Sequence, residues 1–552
     1  MRELVAADDL GASRDLRGAL ALPEAYPQRP AEVEVRETHI SWVFLAGDRA
    51  FKLKKPLVLD FVDYGSAERR RAMCEAEVRL NRRLAPRIYL GVRGVALARG
   101  GARLTDADDP RAVDFVVEMR RFDERRTLAA MLERGELRRE QVRDVAEALA
   151  RFHARADRVD GTASPVLAVE RRWQRNAHEL LGSIEQRGEI GRVLALERFA
   201  HAFVDGHAES LRARAAAGCV RDGHGDLRAE HVLIGERVEV VDCVEFDPGL
   251  RALDVADDLA FLVFDLAARG EERLAEVLVD AYREAGGDLG EDSLIAFYAA
   301  QRALVRAKVG LVRAGQLPAG GAAHGRQSAR ARDLIAVGER FAWRARLPLT
   351  IIVCGLPASG KSTVASALAE RSGLPHLSSD VTRKRLAGLS AFERGPAELY
   401  AAAHSERTYR ELGRRARLAL AAGTGAIVDA TFRRAADRAA FADELGERAP
   451  RLFIECLAPP AVLAERAVRR ELDPLRVSDA DAEVVAREQG SWEPLHEVPA
   501  GSHLPVRADR PPERIVDDVL ALLDARLQAR EPSVVRRRFG APPTDGAERE
   551  GP

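Results

Sequence analysis

The chain has 552 residues, a length that predicts two to four domains rather than a single core. Hydrophobic residues make up 46% and charged residues 31%, as in ordinary globular proteins, and the formal net charge of -1 gives no global electrostatic case for a nucleic-acid or anionic-membrane partner. The acidic first ten residues do not resemble a signal peptide, no apolar run approaches a membrane span, and the five cysteines are scattered, so we expect a cytoplasmic protein.

The first 345 residues begin with strand signals and continue with helical ones. Residues 1–32 predict a loosely ordered lead-in, and residues 33–125 predict a strand-rich segment with one helix. Short alternating or apolar runs bounded by turn residues are typical of strands, whereas later Ala/Leu/Arg periodicity is typical of helices. The predicted strands are 33–36, 41–45, 50–53, 115–119, 232–234 and 238–241, and the helical blocks are 66–84, 127–217 and 270–345.

Beyond residue 346 the pattern changes to alternating strands and helices. Such alternation predicts an α/β domain, a parallel sheet with helices on both faces. From residue 529 to 552 the composition is rich in Arg, Pro and Gly, which predicts a disordered tail. We therefore expect an α+β domain at 33–345 and a P-loop domain at 347–528, with strands at 349–353, 374–377, 426–428 and 451–457.

The P-loop prediction rests on residues 355–363, GLPASGKST, which lie between a predicted strand and a predicted helix. This Walker A pattern lets backbone N–H groups cradle phosphate oxygens at a helix N-terminus. Lys361 is expected to reach the β- and γ-phosphates of ATP, and the Ser362 hydroxyl to bind Mg²⁺. The alternative is a glycine-rich turn that binds no nucleotide. The residues predicted to contact the nucleotide are Gly355, Pro357, Ser359, Gly360, Lys361, Ser362 and Thr363.

Charged residues near later strand ends complete this candidate site. Asp429 ends a buried strand, where a Walker B-type carboxylate would hold the magnesium ion. Asp380 and Arg383 follow the second strand, where an aspartate can accept a hydroxyl proton and an arginine can hold an anionic substrate group. Arg466 and Arg470 lie on a helix that could close over the γ-phosphate. The alternatives are a helix-capping acid and a solvated basic face.

Together, GLPASGKST, SSDVTRKRL, GAIVDATF and the arginine-rich helix resemble the small P-loop kinases, which include gluconate- and shikimate-kinase-like proteins and the kinase half of polynucleotide kinase. The resemblance covers roughly residues 347–525. It implies a nucleoside-monophosphate-kinase-like fold, with Asp380 as the catalytic base and Arg466 and Arg470 as lid residues. Such kinases phosphorylate a hydroxyl group.

A second motif lies in the N-terminal half. Residues 223–234 read GHGDLRAEHVLI and residues 240–247 read VVDCVEFD, which places Asp226 in a tight loop and Asp242 after a hairpin. One carboxylate could deprotonate a hydroxyl and the other could hold Mg²⁺, although two acids near strand ends also occur for structural reasons. The segments are similar to the aminoglycoside phosphotransferase family, which has the protein-kinase-like fold. That resemblance implies Asp226 as base and Asp242 as metal ligand, with Asp254, Asp257 and Asp258 as structural acids.

The same resemblance places Lys52 on the strand whose lysine contacts the α- and β-phosphates, with Glu77 as its partner and 115–122 as the hinge. Only six of the 86 basic residues are lysines, and three of them fall in this strand. We expect Lys54 and Lys55 to be solvated. His231 departs from the family, whose loop has a metal-ligating asparagine there. Imidazole is a poorer ligand for Mg²⁺ than an amide oxygen.

We therefore predict a bifunctional, ATP- and Mg²⁺-dependent phosphotransferase that acts on small hydroxylated molecules. His231 leaves two other readings open for the N-terminal half: it could orient Asp226 or favour another metal, or it could mark a domain that binds nucleotide for regulation without catalysing. The basic run 383–385 and the tail run 536–538 leave open a polynucleotide 5′-hydroxyl kinase. Nucleic acid is otherwise not expected as a partner, and the sequence does not determine the oligomeric state.

Overall fold

The computed structural model describes residues 16–59, 62–159, 164–184, 187–471, 488 and 490–528. Its N-terminal part opens with a six-stranded antiparallel sheet of order β1-β2-β3-β8-β6-β7. Helix α2 packs against β6 and β8 of this sheet. The elements of this part are α1 (including residues 16–20), β1 (Val33–Glu37), β2 (Ser41–Ala46), β3 (Arg49–Lys54), the small pair β4 (Val58–Leu59) and β5 (Val62–Asp63), α2 (Ala67–Asn81), β6 (Tyr89–Ala98), β7 (Gly101–Asp106) and β8 (Ala112–Arg120).

Part of the segment expected to be a loose lead-in is ordered. Leu16, Leu20 and Tyr26 are buried in the same cluster as Phe51 of β3. The Tyr26 ring lies 5.0 Å from the Phe51 ring, and its hydroxyl donates to the Leu20 carbonyl at 2.6 Å. The expectation was therefore wrong from residue 16 onward, because these apolar side chains cover the sheet. Residues 1–15 lie outside the described part of the chain.

The middle of the chain is helical, with two short strand pairs, β9 with β12 and β10 with β11, placed between the helices. An aromatic group that includes Trp173, Phe199, Phe203 and Phe297 forms the centre of its core. The elements are α3 (Leu128–Glu133), α4 (Arg139–Arg155), α5 (Pro165–Leu181), α6 (Arg187–Gly206), α7 (Ala208–Ala216), β9 (Val220–Asp222), β10 (Val232–Ile234), β11 (Val238–Val240), β12 (Ala252–Asp254), α8 (Val255–Ala268), α9 (Glu272–Glu284), α10 (Asp292–Gly315) and α11 (Ala322–Ala345).

The C-terminal part contains the predicted parallel sheet, with five strands in the order β14-β15-β13-β16-β17. Ile351 and Val353 of β13 face one buried layer and Ile352 and Cys354 face the other, so both faces of the sheet are covered. Its elements are β13 (Leu349–Cys354), α12 (Lys361–Ser372), β14 (His376–Ser378), α13 (Ser379–Leu386), α14 (Ala402–Ala421), β15 (Gly425–Asp429), α15 (Ala435–Leu445), β16 (Arg451–Leu457), α16 (Pro460–Glu471), β17 (His503–Arg507) and the C-terminal helix Pro512–Gln528.

The two parts share their boundary helices. The C-terminal helix packs against α6, and its Leu527 belongs to the core of the N-terminal part. In the other direction, Trp343 of α11 belongs to the core of the parallel sheet. A buried ion pair, Arg346 Nε to Asp524 Oδ1 at 2.8 Å, ties the connection between the parts to the C-terminal helix. No helix within the described residues has the length and apolarity needed to cross a membrane.

Candidate active sites

The Walker A segment forms the tight turn between β13 and α12. Gly355 and Gly360 have φ values of +140° and +94°, and Ala358 has +63°. A Cβ on Gly355 would lie 2.6 Å from the Cys456 carbonyl oxygen of β16, so only glycine fits this position without a shift. The loop thus approaches the neighbouring strand closely and delivers the first turn of α12 to the carboxyl edge of the sheet.

The residues that would hold phosphate are available at this turn. Lys361 is half-buried and, among the described residues, forms neither a hydrogen bond nor an ion pair. Ser362 and Thr363 are exposed at the start of α12. The Ser359 hydroxyl is buried without a hydrogen-bond partner, and Pro357 is buried beside it. This is a positively charged helix N-terminus with unsatisfied donors, which suits the phosphates of a nucleotide.

The two predicted carboxylates, Asp429 and Asp380, lie at the ends of the neighbouring strands β15 and β14. Asp429 is the last residue of β15 and pairs in register with Val353, immediately before the loop. On the other side it pairs with Ser378, two residues before Asp380. Asp429 is only 3% exposed, and its Oδ1 has no hydrogen-bond partner. Asp380 is half-buried, and the described residues give it no partner.

The donor set at this edge fits a hard cation. Oxygen atoms of a carboxylate, a hydroxyl and phosphates are the ligands that Mg²⁺ prefers, and Asp429 Oδ1 is an orphaned buried oxygen. The Ser362 hydroxyl lies in the first turn of the adjacent helix α12. Within the described residues no group of three or more His, Cys, Asp and Glu side chains is arranged around one metal position, so phosphate and water oxygens would supply the other ligands.

Two of the predicted arginines, Arg383 and Arg466, have hydrogen-bond partners within the protein. Arg383 is buried and its Nη1 donates to the Leu399 carbonyl and the Ser405 hydroxyl, both at 3.1 Å, which anchors α13, whereas its Nε has no hydrogen-bond partner among the described residues. Arg466 donates to the carbonyls of Ser359 at 3.3 Å and Ala508 at 2.9 Å, so it braces the Walker loop. The side chain of Arg470 lies outside the described part of the chain.

The sequence interpretation missed His376 in this site. Its Nε2 lies 3.6 Å from Asp429 Oδ2, and no hydrogen bond satisfies that nitrogen. The residue begins β14, whose pairing with β15 brings it beside the aspartate. A lone histidine at a strand start carries no local signal of this contact.

In the N-terminal part, Lys52 contacts Glu77, the partner that the resemblance gave it, and also Asp242. The Lys52 ammonium lies 2.8 Å from Glu77 Oε1 on α2 and 2.9 Å from Asp242 Oδ1. Burial opposes the charge on Lys52, but the two carboxylates prevail and raise its pKa well above the ordinary value. In turn, Lys52 is the largest cause that holds the pKa of Asp242 far below its usual range. Both groups are therefore charged.

The expectation that Lys54 is solvated was wrong. Its side chain is completely buried, and its ammonium lies 2.7 Å from Glu77 Oε2 and also pairs with Glu245. The Tyr64 hydroxyl donates to the same Glu245 carboxylate at 2.8 Å. Strand β3 therefore sends two lysines, Lys52 and Lys54, to opposite oxygens of Glu77. Lys55 is also largely covered, and it donates to the Thr38 carbonyl at 2.7 Å.

Asp226 and His231 are joined by Arg228, which the sequence interpretation did not identify. Arg228 Nε lies 3.0 Å from both oxygens of Asp226. His231 Nδ1 donates to the Asp226 carbonyl at 2.9 Å, because a carbonyl can only accept. Its Nε2 therefore accepts from Arg228 Nη2 at 2.8 Å, and it lies 3.7 Å from Asp242 Oδ2. In this arrangement His231 positions a cation beside the carboxylates rather than acting as a free metal ligand.

The acid that supports this loop is Asp258. It accepts from the backbone nitrogens of His224 at 2.6 Å and Gly225 at 2.9 Å, and it contacts His153 Nε2 at 3.2 Å. Burial opposes its charge, but these donors hold the pKa of Asp258 far below its usual range. Asp254 and Asp257 pair with Arg214 and Arg302. These contacts match the structural roles that the resemblance implied.

Some known proteins resemble one part of the chain and others resemble most of its length. A family described as an AAA domain matches residues 350–495. Among solved structures, a putative kinase from Chloroflexus aurantiacus is 30% identical and covers 32% of this chain and 97% of its own, with a TM-score of 0.27. A choline/ethanolamine kinase family protein from Mesorhizobium loti is 17% identical and covers 59% of this chain and 98% of its own, with a TM-score of 0.32.

Curated relatives match most of the length. The uncharacterized protein Rv2004c of Mycobacterium tuberculosis is 37% identical over 482 residues, which are 84% of this chain and 92% of that protein. The uncharacterized protein Mb2027c of Mycobacterium bovis matches to the same extent. Because the relatives are more than 30% identical and the match covers most of both chains, the chain belongs to the same family as these mycobacterial proteins.

Proposed function

We propose that the chain is an ATP-dependent phosphotransferase whose C-terminal part transfers the γ-phosphoryl group of ATP to a hydroxyl group of a small molecule. The observation that carries this proposal is the unpartnered Lys361 at the Walker turn, beside two carboxylates at adjacent strand ends. Phosphoryl transfer needs cations against the phosphates and a group that orients or deprotonates the nucleophile. Asp429 and Ser362 would hold Mg²⁺, and Asp380 would take the proton of the acceptor hydroxyl.

The same requirements support a second transfer site in the N-terminal part. Lys52 is held by Glu77 and Asp242, in the geometry that a phosphate-contacting lysine needs. Asp242 would hold Mg²⁺ against the phosphates, and Asp226 would accept the hydroxyl proton. The side chain of Asp226 is 26% exposed and so can be reached by an acceptor.

A nucleotide-binding regulatory role for the N-terminal part is the second candidate. It is favoured by one observation: Arg228 bonds both oxygens of Asp226, the group that would have to accept a proton. Catalysis would require the guanidinium to release one of those oxygens when substrate arrives. A polynucleotide substrate has less support, because Arg383 and Lys384 of the basic run are buried.

The test is ATP turnover by the full chain in the presence of pools of hydroxylated metabolites, aminoglycosides or 5′-hydroxyl oligonucleotides. Lys361→Ala removes the charge at the Walker turn and Asp226→Ala removes the proposed base of the other site. We expect one small-molecule pool to stimulate turnover and one of the two variants to abolish it, by about a hundredfold or more. Tight ATP binding without stimulation by any pool would support the regulatory candidate instead.

A further inference from the structure

His376 and Asp429 lie on the same face of the parallel sheet, and the Walker helix α12 packs on that face. His376 pairs in register with Ile427 of β15, which lies two residues before Asp429. Ile427 is buried in the layer that includes Leu368 of α12, whereas Leu377 belongs to the opposite layer. Because side chains alternate along a strand, those of His376 and Asp429 face the α12 layer. Both side chains therefore share a face with the helix that begins at the Walker turn.

The contact between these two side chains leaves buried polar atoms unsatisfied on both. His376 Nε2 lies 3.6 Å from Asp429 Oδ2, just beyond hydrogen-bond distance. Neither His376 Nε2 nor Asp429 Oδ1 has a hydrogen-bond partner among the described residues, although both atoms are buried. Buried side-chain nitrogens and oxygens are mostly hydrogen-bonded in folded proteins, so two adjacent exceptions call for an explanation. A binding site supplies one, because its hydrogen bonds are often long before ligands arrive and shorten afterwards.

The two oxygens of Asp429 have different surroundings. Oδ2 faces the imidazole of His376, whereas Oδ1 is the orphaned buried oxygen that fits a hard cation. A neutral imidazole with its proton on Nε2 donates to Oδ2 and so fixes the rotation of the carboxylate. Carboxylates that bind a metal ion are commonly oriented by such bonds, and losing one weakens metal binding by about 10–100-fold. Imidazole itself is a poor ligand for Mg²⁺, so a direct contact of His376 to the ion is not expected.

We infer that His376 is a positioning residue of the C-terminal site, which holds Asp429 Oδ2 and turns Oδ1 toward the cation that accompanies the nucleotide. The inference rests on the proposed function of this part, in which Asp429 and Ser362 hold Mg²⁺. It adds a requirement that the Walker pattern does not contain, a hydrogen-bond donor on the edge strand β14 ahead of the proposed base Asp380. His376 acts through Asp429 and needs no contact with the nucleotide or the acceptor. Loss of the donor should therefore weaken cation binding while the Walker turn stays intact.

The test measures Mn²⁺ binding by electron paramagnetic resonance in the presence of ADP. The full chain carries Asp242→Asn, which removes the proposed metal ligand of the N-terminal site. In this background, His376→Leu replaces the imidazole with an apolar group of similar size and should weaken Mn²⁺ binding by about tenfold or more. His376→Gln restores an N–H donor at a similar reach and should retain most of the affinity. His496→Leu, at an exposed histidine of the same part, is the matched control and should leave Mn²⁺ binding unchanged.

Thermal unfolding of the same variants separates positioning from folding. Because His376 Nε2 has no hydrogen-bond partner to lose, His376→Leu should unfold at a Tm close to that of the background chain. Unchanged Mn²⁺ affinity in His376→Leu, with or without a lower Tm, overturns the inference, and so does binding by His376→Gln that is as weak as by His376→Leu. Nitrogen coupling to Mn²⁺ that disappears in His376→Leu would make His376 a direct ligand and also overturn it. If Lys361→Ala leaves Mn²⁺ binding in this background unchanged, the metal ion is not at the Walker turn, and the proposed function of the C-terminal part fails whatever the His376 variants show.

Discussion

His231 shows how a single side chain sets the character of the N-terminal site. A neutral imidazole with Nδ1 as donor presents its Nε2 lone pair to Arg228, which in turn covers both oxygens of Asp226. An asparagine at this position would offer an amide oxygen to a cation but no equivalent lone pair at that reach. With histidine at position 231, the side chain supports Arg228. An asparagine there would offer an oxygen ligand to a metal ion instead.

This exchange predicts the behaviour of His231→Asn. We expect the variant to gain affinity for a divalent cation in the presence of ATP, because an amide oxygen replaces a nitrogen that is committed to Arg228. Mn²⁺ binding followed by electron paramagnetic resonance, in the Lys361→Ala background, measures the change. His201→Asn, at an exposed histidine of α6, is the control and should leave Mn²⁺ binding unchanged. Unchanged binding in His231→Asn would show that residue 231 does not limit the metal site.

Between elements, the cluster around Lys54 joins three separate pieces of chain. Lys54 comes from β3, Glu77 from α2, and Glu245 from the loop that carries Asp242. All three side chains are buried, and Tyr64 adds a hydroxyl to the same group. The cluster fixes the strand of Lys52 and the loop of Asp242 relative to each other, so it positions residues that would contact nucleotide without touching it.

Lys54→Met should therefore be strongly destabilising. Removal of the ammonium leaves Glu77 and Glu245 buried with one cation fewer, and we expect a loss of about 3–5 kcal/mol in the free energy of unfolding. Thermal unfolding by calorimetry measures the effect. The double variant Lys54→Met/Glu245→Gln removes the unpaired charge as well and should recover part of the loss. If the single variant unfolds like the parent, the cluster contributes no net stability.

The elements also show which features a sequence can reveal. The Walker turn was predictable because its glycines, lysine and flanking apolar strand all lie within a few residues. Lys54 was not, because its partners lie 23 and 191 residues away and the strand pattern alone looks solvated. Arg228 was missed although it lies two residues from Asp226. Its importance depends on the folded loop, which turns Arg228 back onto the carboxylate.

For Arg383 and Arg466, the sequence predicted a place near the P-loop site but could not give the partners of the guanidinium groups. In the structure, Arg383 donates to the Leu399 carbonyl, and Arg466 donates to the carbonyls of Ser359 in the Walker loop and of Ala508. A basic residue near a phosphate site has two ordinary uses, a contact to ligand and a brace for the loop. Only the folded partners of the guanidinium distinguish these uses, and no local pattern encodes them.

Across the whole molecule, ion pairs and a close helix crossing join the N-terminal and C-terminal parts. Glu339 of α11 accepts from Arg192 of α6 and from Arg371 at the end of the Walker helix, each at 2.8 Å. The C-terminal helix crosses α6 so closely that a Cβ on Gly206 would lie 2.1 Å from the Leu527 carbonyl oxygen. Glycine is required where the two backbones meet.

Gly206→Ala should consequently destabilise the whole chain. The added methyl group must push the C-terminal helix away from α6, and we expect a loss of about 1–3 kcal/mol, read as a lower Tm. Gly191→Ala is the matched control on the same helix, because a Cβ there meets nothing within 4 Å. This control should be neutral or slightly stabilising, since alanine favours helix. A Tm of Gly206→Ala equal to that of the control would contradict the close crossing.

The placement of Leu527 has a consequence for how the protein is made. A ribosome releases the residues of the N-terminal core early, but this core still lacks a member that is translated only near residue 527. Until then α6 exposes the apolar surface that the C-terminal helix will cover. A chain truncated anywhere in the C-terminal part would therefore have incomplete hydrophobic cores in both parts. Gene fission between the two parts would face the same obstacle, which favours their inheritance as a single reading frame.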